Sequence, residues 1–87
     1  MQIVRKILNH NYNPFNDFLH QKIFVLCANY FYTGVLTNVY DNCIVLEDAG
    51  IVYETGSWDD CQYKDVQKFN HKVYILISAI ESFMQGK

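Results

Sequence analysis

The clearest pattern along the chain is a pair of apolar segments separated by the polar step Asp41-Asn42. The apolar residues on the two sides are Val35, Leu36, Val39 and Tyr40 before the step and Cys43, Ile44, Val45 and Leu46 after it. This pattern predicts a β-hairpin. Asp and Asn suit the turn because their short side chains tolerate left-handed backbone and bond nearby backbone groups.

The register of this hairpin has alternatives. A two-residue turn would place four apolar residues on one face: Val35, Val39, Ile44 and Leu46. Leu36 would then point to the other face, so a bulge or a longer turn is equally compatible with the pattern. Gly34 predicts a bend or a close backbone approach inside the first strand, as a small closed barrel requires.

Two further segments, Lys22 to Tyr30 and Val73 to Ile77, are apolar on both alternating faces. For the first of them this pattern predicts a strand that is covered on both sides. A short amphipathic helix is predicted before the first of them, with Asn13 as N-cap and Pro14 at the first helical position. Its side chains at helical spacing are Phe15, Phe18, Leu19 and Lys22.

The remaining segments give weaker patterns. Gln2 to Asn9 carries an apolar helical face, or is a frayed arm. Ile51 to Thr55 predicts a short strand, and Gly56-Ser57 opens a loop. The region from Trp58 to Phe69 predicts one or two helical turns with Ser57 as a possible N-cap. Ser82 to Lys87 loses the pattern and is expected to fray.

The central hairpin resembles the first motif of Sm-like proteins, which include bacterial Hfq and small proteins of phage origin. The slots of that motif are filled by Tyr32, Gly34, Leu36, Asp41, Ile44, Leu46 and Asp48. The continuation from Leu46 to Trp58 is most similar to the phage-type members. The segment from Val73 to Phe83 lies where the family has its second motif.

The resemblance implies a mainly β fold, a small, strongly bent antiparallel Sm-like (SH3-like) barrel of five strands with an N-terminal helix. Residues 1–87 would form one domain, divided into an arm and helix (1–21), the first motif (22–49), an enlarged variable loop (50–71) and the second motif (72–84). In Sm-like rings the fourth strand of one subunit pairs with the fifth strand of the next. The expected subunit interface is therefore Val73, Tyr74, Ile75, Leu76 and Ile77.

Composition independently favours self-association. Of 87 residues, 51% are hydrophobic, and seven are Tyr and six are Phe. A monomer of this size buries only about 60 to 65% of its unfolded surface, and oligomerisation is a usual way to cover the remainder. We expect a homo-oligomeric ring, from pentamer to heptamer.

Charge and cysteine content narrow the class of protein. A net charge of −2 gives no global basic signature, so tight duplex binding is not expected. No apolar run approaches the ~20 residues of a membrane span, and no signal-peptide pattern begins the chain. Three cysteines without Cys-x-x-Cys spacing fit reduced thiols. A cytoplasmic protein of a bacterial or phage-infected cell is expected.

Catalytic and metal-binding motifs are absent from the sequence, so we expect neither an enzyme nor a cofactor. The three histidines and three cysteines are scattered, whereas a zinc site normally consists of two close ligand pairs. The acidic residues match no calcium loop, and we interpret them as solvated loop and cap residues rather than ligands. They are Glu47, Asp48, Glu54, Asp59 and Asp60.

The resemblance implies that single-stranded RNA binds at a central pore. Tyr40 would stack on a base, Asn42 would contact a base edge beside Asp41, and Ser78 would lie in the second pore loop. Stacking of this kind is worth about 1 to 3 kcal/mol per base. The alternative for Tyr40 is a packed aromatic residue at a hairpin end.

The sequence departs from the family at two points. Ile44 or a neighbour stands where an asparagine is expected, and Leu76-Ile77-Ser78 lacks the expected Arg-Gly or Lys-His pair. RNA affinity at the pore should therefore be weaker, or the RNA should be recognised through contacts other than those of the family. The runner-up hypothesis is a structural or protein-interaction ring module that does not bind nucleic acid.

A second candidate surface is a basic rim, repeated around the ring so that weak contacts add as avidity. Its members would be Lys22, Lys64, Lys68, His71 and Lys72. The alternative is that these residues are ordinary solvated surface.

Overall fold

The computed structural model describes residues 13–87, so the predicted segment Gln2 to Asn9 lies outside the described residues. Within residues 13–87 the fold is mainly β, with two short 3-10 helices, Pro14–Phe18 and Ile77–Ala79. The strands are β1 (Lys22–Cys27), β2 (Phe31–Val39), β3 (Cys43–Glu54), β4 (Asp65–Lys68), β5 (Val73–Leu76) and β6 (Ile80–Gln85).

The strands form one antiparallel sheet in the order β4-β3-β2-β1-β6, and β5 pairs with β3 beside β4. The predicted mainly β, antiparallel character is confirmed. The predicted closed barrel of five strands is wrong, because the described residues form six strands in a sheet that is not closed. The sixth strand is β4, which lies in the segment predicted as a loop. β5 and β6 are joined by the helix Ile77–Ala79 and do not pair with each other.

The hairpin of β2 and β3 combines a two-residue turn with a bulge. The Tyr40 N–H donates to the Cys43 carbonyl over 2.8 Å, which leaves Asp41 and Asn42 as the turn. The register shifts between Leu36 and Asn38, so Leu36 lies opposite Leu46 and faces the core. The bulge considered in the sequence therefore explains how Leu36 becomes fully buried.

Strand β3 is long and pairs with two further strands besides β2. Its first half, Cys43–Leu46, pairs with β5, and its second half, from Gly50 to Glu54, pairs with β4. Asp48 lies between the halves with a φ of 50°. The strand predicted from Ile51 to Thr55 is confirmed as far as Glu54, but it is the continuation of β3 and not a separate strand.

Gly34 permits the bend of β3 against β2. A Cβ atom at this position would lie 3.0 Å from Leu46 Cβ and 3.1 Å from Ala49 Cα. The predicted close backbone approach at Gly34 is confirmed.

The segment before β1 is a 3-10 helix of five residues, so the predicted amphipathic helix reaching Lys22 is wrong. The Asn13 cap is confirmed, since its side-chain oxygen accepts from the Phe15 N–H over 3.0 Å. The helix ends because Leu19 is extended (ψ 134°) and His20 has a φ of 67°. Phe15 is nevertheless buried and stacks on Phe83, with ring centroids 4.0 Å apart.

The predicted helical turns from Trp58 to Phe69 are also wrong. Ser57 does cap a turn, because its hydroxyl accepts from the Asp59 N–H over 3.2 Å, but the chain then continues into β4. In β4, Val66 is partly buried between exposed Asp65 and Gln67. This alternation is that of a half-buried strand, not of a helix.

The last residues do not fray as predicted. β6 pairs with β1 through Gln85, and the Gly86 N–H then donates to the Lys22 carbonyl over 2.9 Å. β1 itself is covered on both sides as predicted, at least at its centre. Ile23 and Val25 lie in the core, and Phe24, on the opposite face, is only 2% exposed.

Candidate functional site

The fold brings two loops together that are far apart in the sequence. The β2-β3 turn ends where Cys43 pairs with Leu76, the last residue of β5. The Ile77 N–H then donates to the Asn42 carbonyl over 2.9 Å. Residues 40–42 and 77–79, called the paired loops below, therefore lie side by side.

The paired loops present polar and aromatic groups to solvent. Tyr40 is 51% exposed, and Asp41, Asn42 and Ser78 are exposed as well. No hydrogen bond to another described residue occupies the Tyr40 hydroxyl, the Asn42 amide or the Ser78 hydroxyl. The site thus offers one aromatic face for stacking and several unused hydrogen-bonding groups. It contains no Lys, Arg or His side chain.

Most of the predicted basic rim is neutralised by neighbouring carboxylates. Three of its lysines each face a carboxylate of β3: Lys64 lies 3.5 Å from Glu54, Lys68 3.0 Å from Asp48, and Lys72 3.8 Å from Glu47. Such exposed pairs contribute little to stability, but they reduce the positive charge that an anion would meet.

The two other members of the rim lie in different surroundings. His71 stacks on Phe69, with ring centroids 5.8 Å apart, and its Nδ1 lies 3.1 Å from the Lys72 carbonyl oxygen. Lys22 forms no ion pair with any residue from 13 to 87. It lines a cleft of about 330 Å³ together with Lys68 and Tyr63. The basic rim stays a prediction, with two of its lysines, Lys22 and Lys68, lining the same cleft.

The predicted interface strand has an inner and an outer face. Ile75 is 5% exposed and belongs to the core. Val73 and Ile77 are partly buried and pack against the core. Tyr74 and Leu76, on the outer face, are 64% and 57% exposed. Among the described strands, β5 pairs only with β3 and β6 only with β1, so each has an edge without a partner.

An aromatic cluster covers the outer face of β1, and no sequence pattern predicted it as a site. Phe24 contacts Trp58 edge-on and stacks against Tyr63, with ring centroids 5.4 Å and 5.8 Å apart. The Lys87 ammonium nitrogen lies 5.1 Å from the Trp58 ring centroid and 5.3 Å from that of Tyr63.

The same nitrogen is surrounded by backbone carbonyls. It donates to Thr55 O and Ser57 O over 2.7 Å each and to Gln62 O over 3.2 Å. These three carbonyls and the rings of Trp58 and Tyr63 are called the ammonium cage below. No sequence spacing connects Lys87 with this loop, which explains why the sequence predicted only a frayed end.

The titratable groups with shifted pKa values lie away from the paired loops. Burial raises the pKa of the Cys27 thiol. Burial also raises the pKa of Tyr32, with smaller contributions from the nearby Cys27 and Tyr30. Residues 13–87 bring no three His, Cys, Asp or Glu side chains together as metal ligands. No helix in this part of the chain has the length and apolar character to cross a membrane.

No family model, curated protein or solved structure matches this chain. Function is therefore inferred from the geometry of the paired loops, the strand edges and the chemistry of their side chains.

Proposed function

We propose that this chain is an Sm-like protein that assembles into a homo-oligomeric ring and binds single-stranded RNA at its paired loops. The observation that carries the proposal is the hydrogen bond from Ile77 N–H to Asn42 O. It joins the backbone of the turn that carries the exposed residues Tyr40 and Asn42 to the segment that carries Ser78.

The chemistry of the paired loops suits a single strand better than a duplex. An exposed tyrosine ring stacks on any unpaired base, and the Asn42 amide and Ser78 hydroxyl have free donors and acceptors for a base edge. With no cation in the loops, phosphate contacts would contribute little. We therefore expect modest affinity with weak dependence on salt concentration.

Ring formation would raise this affinity by repeating the site. The unpartnered edges of β5 and β6 can pair between neighbouring copies, head to tail, and such a heterologous contact forms a ring when its rotation closes. Tyr74 and Leu76 would become buried on that contact. Several weak stacking sites on one strand then act together.

A second candidate function is a ring that serves as a structural or protein-interaction module without RNA. It is favoured by the ion pairs of Lys64, Lys68 and Lys72 with β3, which reduce the positive charge that these three lysines offer to a nucleic acid. The two candidates differ in whether Tyr40 contacts a ligand.

The double variant Tyr40→Ala, Asn42→Ala distinguishes them. We expect single-stranded RNA binding, measured by fluorescence anisotropy, to weaken at least tenfold, because about 1 to 3 kcal/mol of stacking is lost per site. Tyr53→Ala is the matched control, since Tyr53 is 56% exposed on the distant half of β3. If the double variant keeps its oligomeric state and binds RNA as tightly as the control, binding at the paired loops is refuted.

A further inference from the structure

We propose that the loop between β3 and β4 is a binding site for a primary alkylammonium group, and that Lys87 of the same chain fills it as an internal ligand. The proposal is independent of RNA binding and of ring formation. It rests on the ammonium cage, whose carbonyls and rings match the donor number and the charge of a lysine head group.

The acceptors match the donors of an ammonium group. A lysine ammonium has three N–H donors and no acceptor, and the cage supplies three carbonyl oxygens, those of Thr55, Ser57 and Gln62. Every N–H of Lys87 can thus be satisfied at once. A quaternary ammonium could not donate to these oxygens, and a neutral alcohol would bring no charge.

The walls of the cage favour a cation. Trp58 and Tyr63 place their rings within the roughly 6 Å at which a cation is attracted to an aromatic quadrupole. Asp59 and Asp60 are exposed in the same loop and form no ion pair with a residue from 13 to 87. Their negative charge adds attraction for a cation approaching from solvent.

The cage is held together by contacts that do not involve Lys87. The Asp60 N–H donates to Ser57 O over 3.1 Å, and the Lys64 N–H donates to Thr55 O over 3.3 Å. Gly56, with a φ of 70°, reverses the backbone between the Thr55 and Ser57 carbonyls. These contacts would keep the carbonyls in place when Lys87 is absent.

The aromatic walls are anchored in the same way. Phe24 is buried and contacts both rings, and the Tyr63 hydroxyl lies 3.3 Å from the Thr33 hydroxyl. Tyr63 also accepts from the Lys87 backbone N–H over 3.1 Å. A cage that stands without its ligand can accept the same chemistry from outside, either the lysine side chain of another protein or a free alkyl diamine.

The test uses the single tryptophan of the chain, Trp58, as a fluorescent reporter. Lys87→Met keeps an unbranched apolar side chain but removes the ammonium. Titrated with butylammonium chloride, this variant should show a saturable change of Trp58 fluorescence, with at least tenfold tighter binding than the wild type, in which Lys87 competes. Lys64→Met, which removes a lysine of the same loop outside the cage, should behave as the wild type.

Selectivity is measured on the Lys87→Met variant at equal concentrations. Tetramethylammonium and butanol should each bind at least tenfold more weakly than butylammonium, because one lacks N–H donors and the other lacks charge. Nα-acetyl-lysine methylamide and 1,4-diaminobutane distinguish the two sources. If the two ligands bind equally tightly, only the ammonium is recognised. If the diamine binds more tightly, Asp59 or Asp60 holds its second ammonium. Both results support the site.

Amide hydrogen exchange at Asp60 and Lys64 shows whether the loop keeps its hydrogen bonds in the Lys87→Met variant. Protected amides without saturable butylammonium binding would overturn it. Amides that lose protection in Lys87→Met and regain it with butylammonium would support it, whereas amides that stay unprotected would overturn it. Equal binding of butylammonium to the variant and the wild type would also overturn it, because the site would then lie elsewhere.

Discussion

At the scale of single residues, the sheet combines fully buried aliphatic side chains with exposed aromatic ones. Ile23, Leu36, Ile44 and Leu46 are fully buried, while Tyr40, Trp58 and Tyr74 are at least half exposed. Glycines without room for a side chain lie where strands approach each other most closely. The surface therefore offers aromatic side chains for contact with a partner. The glycine positions, in contrast, tolerate a larger residue poorly.

Gly50 is the least tolerant of these positions. A Cβ atom there would lie 2.7 Å from Gln67 O and 2.9 Å from Val66 Cγ2, so β4 would have to move away from β3. We expect Gly50→Ala to lower the free energy of unfolding by about 2 kcal/mol, as overpacking does, although Gly→Ala alone restricts the unfolded chain and favours folding. Urea unfolding measures the change.

Gln67→Ala is the control for Gly50→Ala. It removes only an exposed hydrogen bond to the Tyr53 hydroxyl and leaves the backbone of β4 in place. Its unfolding midpoint should lie close to that of the wild type. Equal midpoints for Gly50→Ala and the wild type would show that β4 does not press against β3 as described.

The burial of Cys27 should make the free energy of unfolding fall at alkaline pH. Burial raises its pKa above the ordinary value of 9.0, so the folded protein holds the thiol proton more tightly than the unfolded chain. Stability is therefore unaffected below about pH 9 and falls as pH rises towards the folded pKa. Urea unfolding from pH 7 to 10.5 should show this decline, with a smaller slope in Cys27→Ala.

Cys61→Ala serves as the control for Cys27→Ala, because Cys61 is exposed. It should keep the wild-type slope at alkaline pH. A slope that Cys27→Ala leaves unchanged would show that the decline does not come from Cys27, and Tyr32, whose pKa is also raised by burial, would be replaced next.

At the scale of elements, the sequence predicted the strands that contain many apolar residues. It missed the strands that are ordered mainly by pairing with a neighbouring strand. β1, the β2-β3 hairpin and β5 carry enough apolar residues to be recognised. β4 has one partly buried side chain, Val66, and is a strand because Gly50 lets it pair with β3. β6 alternates weakly and is ordered by β1.

Local sequence patterns also determine neither the type of the helix before β1 nor the contacts between distant parts of the chain. Phe15 and Phe18 at helical spacing fit a 3-10 helix of five residues as well as an α-helix, and only the backbone turn at His20 decides between them. The ammonium cage joins residues about thirty positions apart in sequence. The adjacency of the two predicted loops, Tyr40 to Asn42 and Ser78, came from the resemblance; a strand-turn-strand pattern alone does not predict it.

The outer face of β5 carries the prediction about assembly. Replacing both exposed side chains, Tyr74→Glu with Leu76→Glu, should shift the protein from ring to smaller species in sedimentation velocity. Two carboxylates on one strand face resist desolvation and repel each other. The fold should persist, because both side chains are exposed in the single chain.

Tyr53→Glu is the control for that double variant, since Tyr53 is exposed on the distant half of β3. It should keep the wild-type oligomeric state. If the β5 variant also keeps it, with an unchanged circular dichroism spectrum, subunits do not meet through this face.

At the scale of the whole molecule, the open sheet and its exposed aromatics are connected. The hydrogen-bonding edges of β5 and β6 and the outer face of β5 leave apolar and backbone groups that a second copy can cover. The paired loops lie at the end of β5, so they would recur once per subunit. The proposed ring would cover these features, which a single chain leaves exposed.

The central claim, a ring that binds single-stranded RNA, is tested most directly by native mass spectrometry of protein purified without nuclease. We predict closed assemblies, from pentamer to heptamer, that carry additional mass of nucleotides and lose it after ribonuclease treatment. A bare ring would contradict RNA binding and favour the structural module. A monomer at micromolar concentration would contradict the assembly and the Sm-like proposal with it.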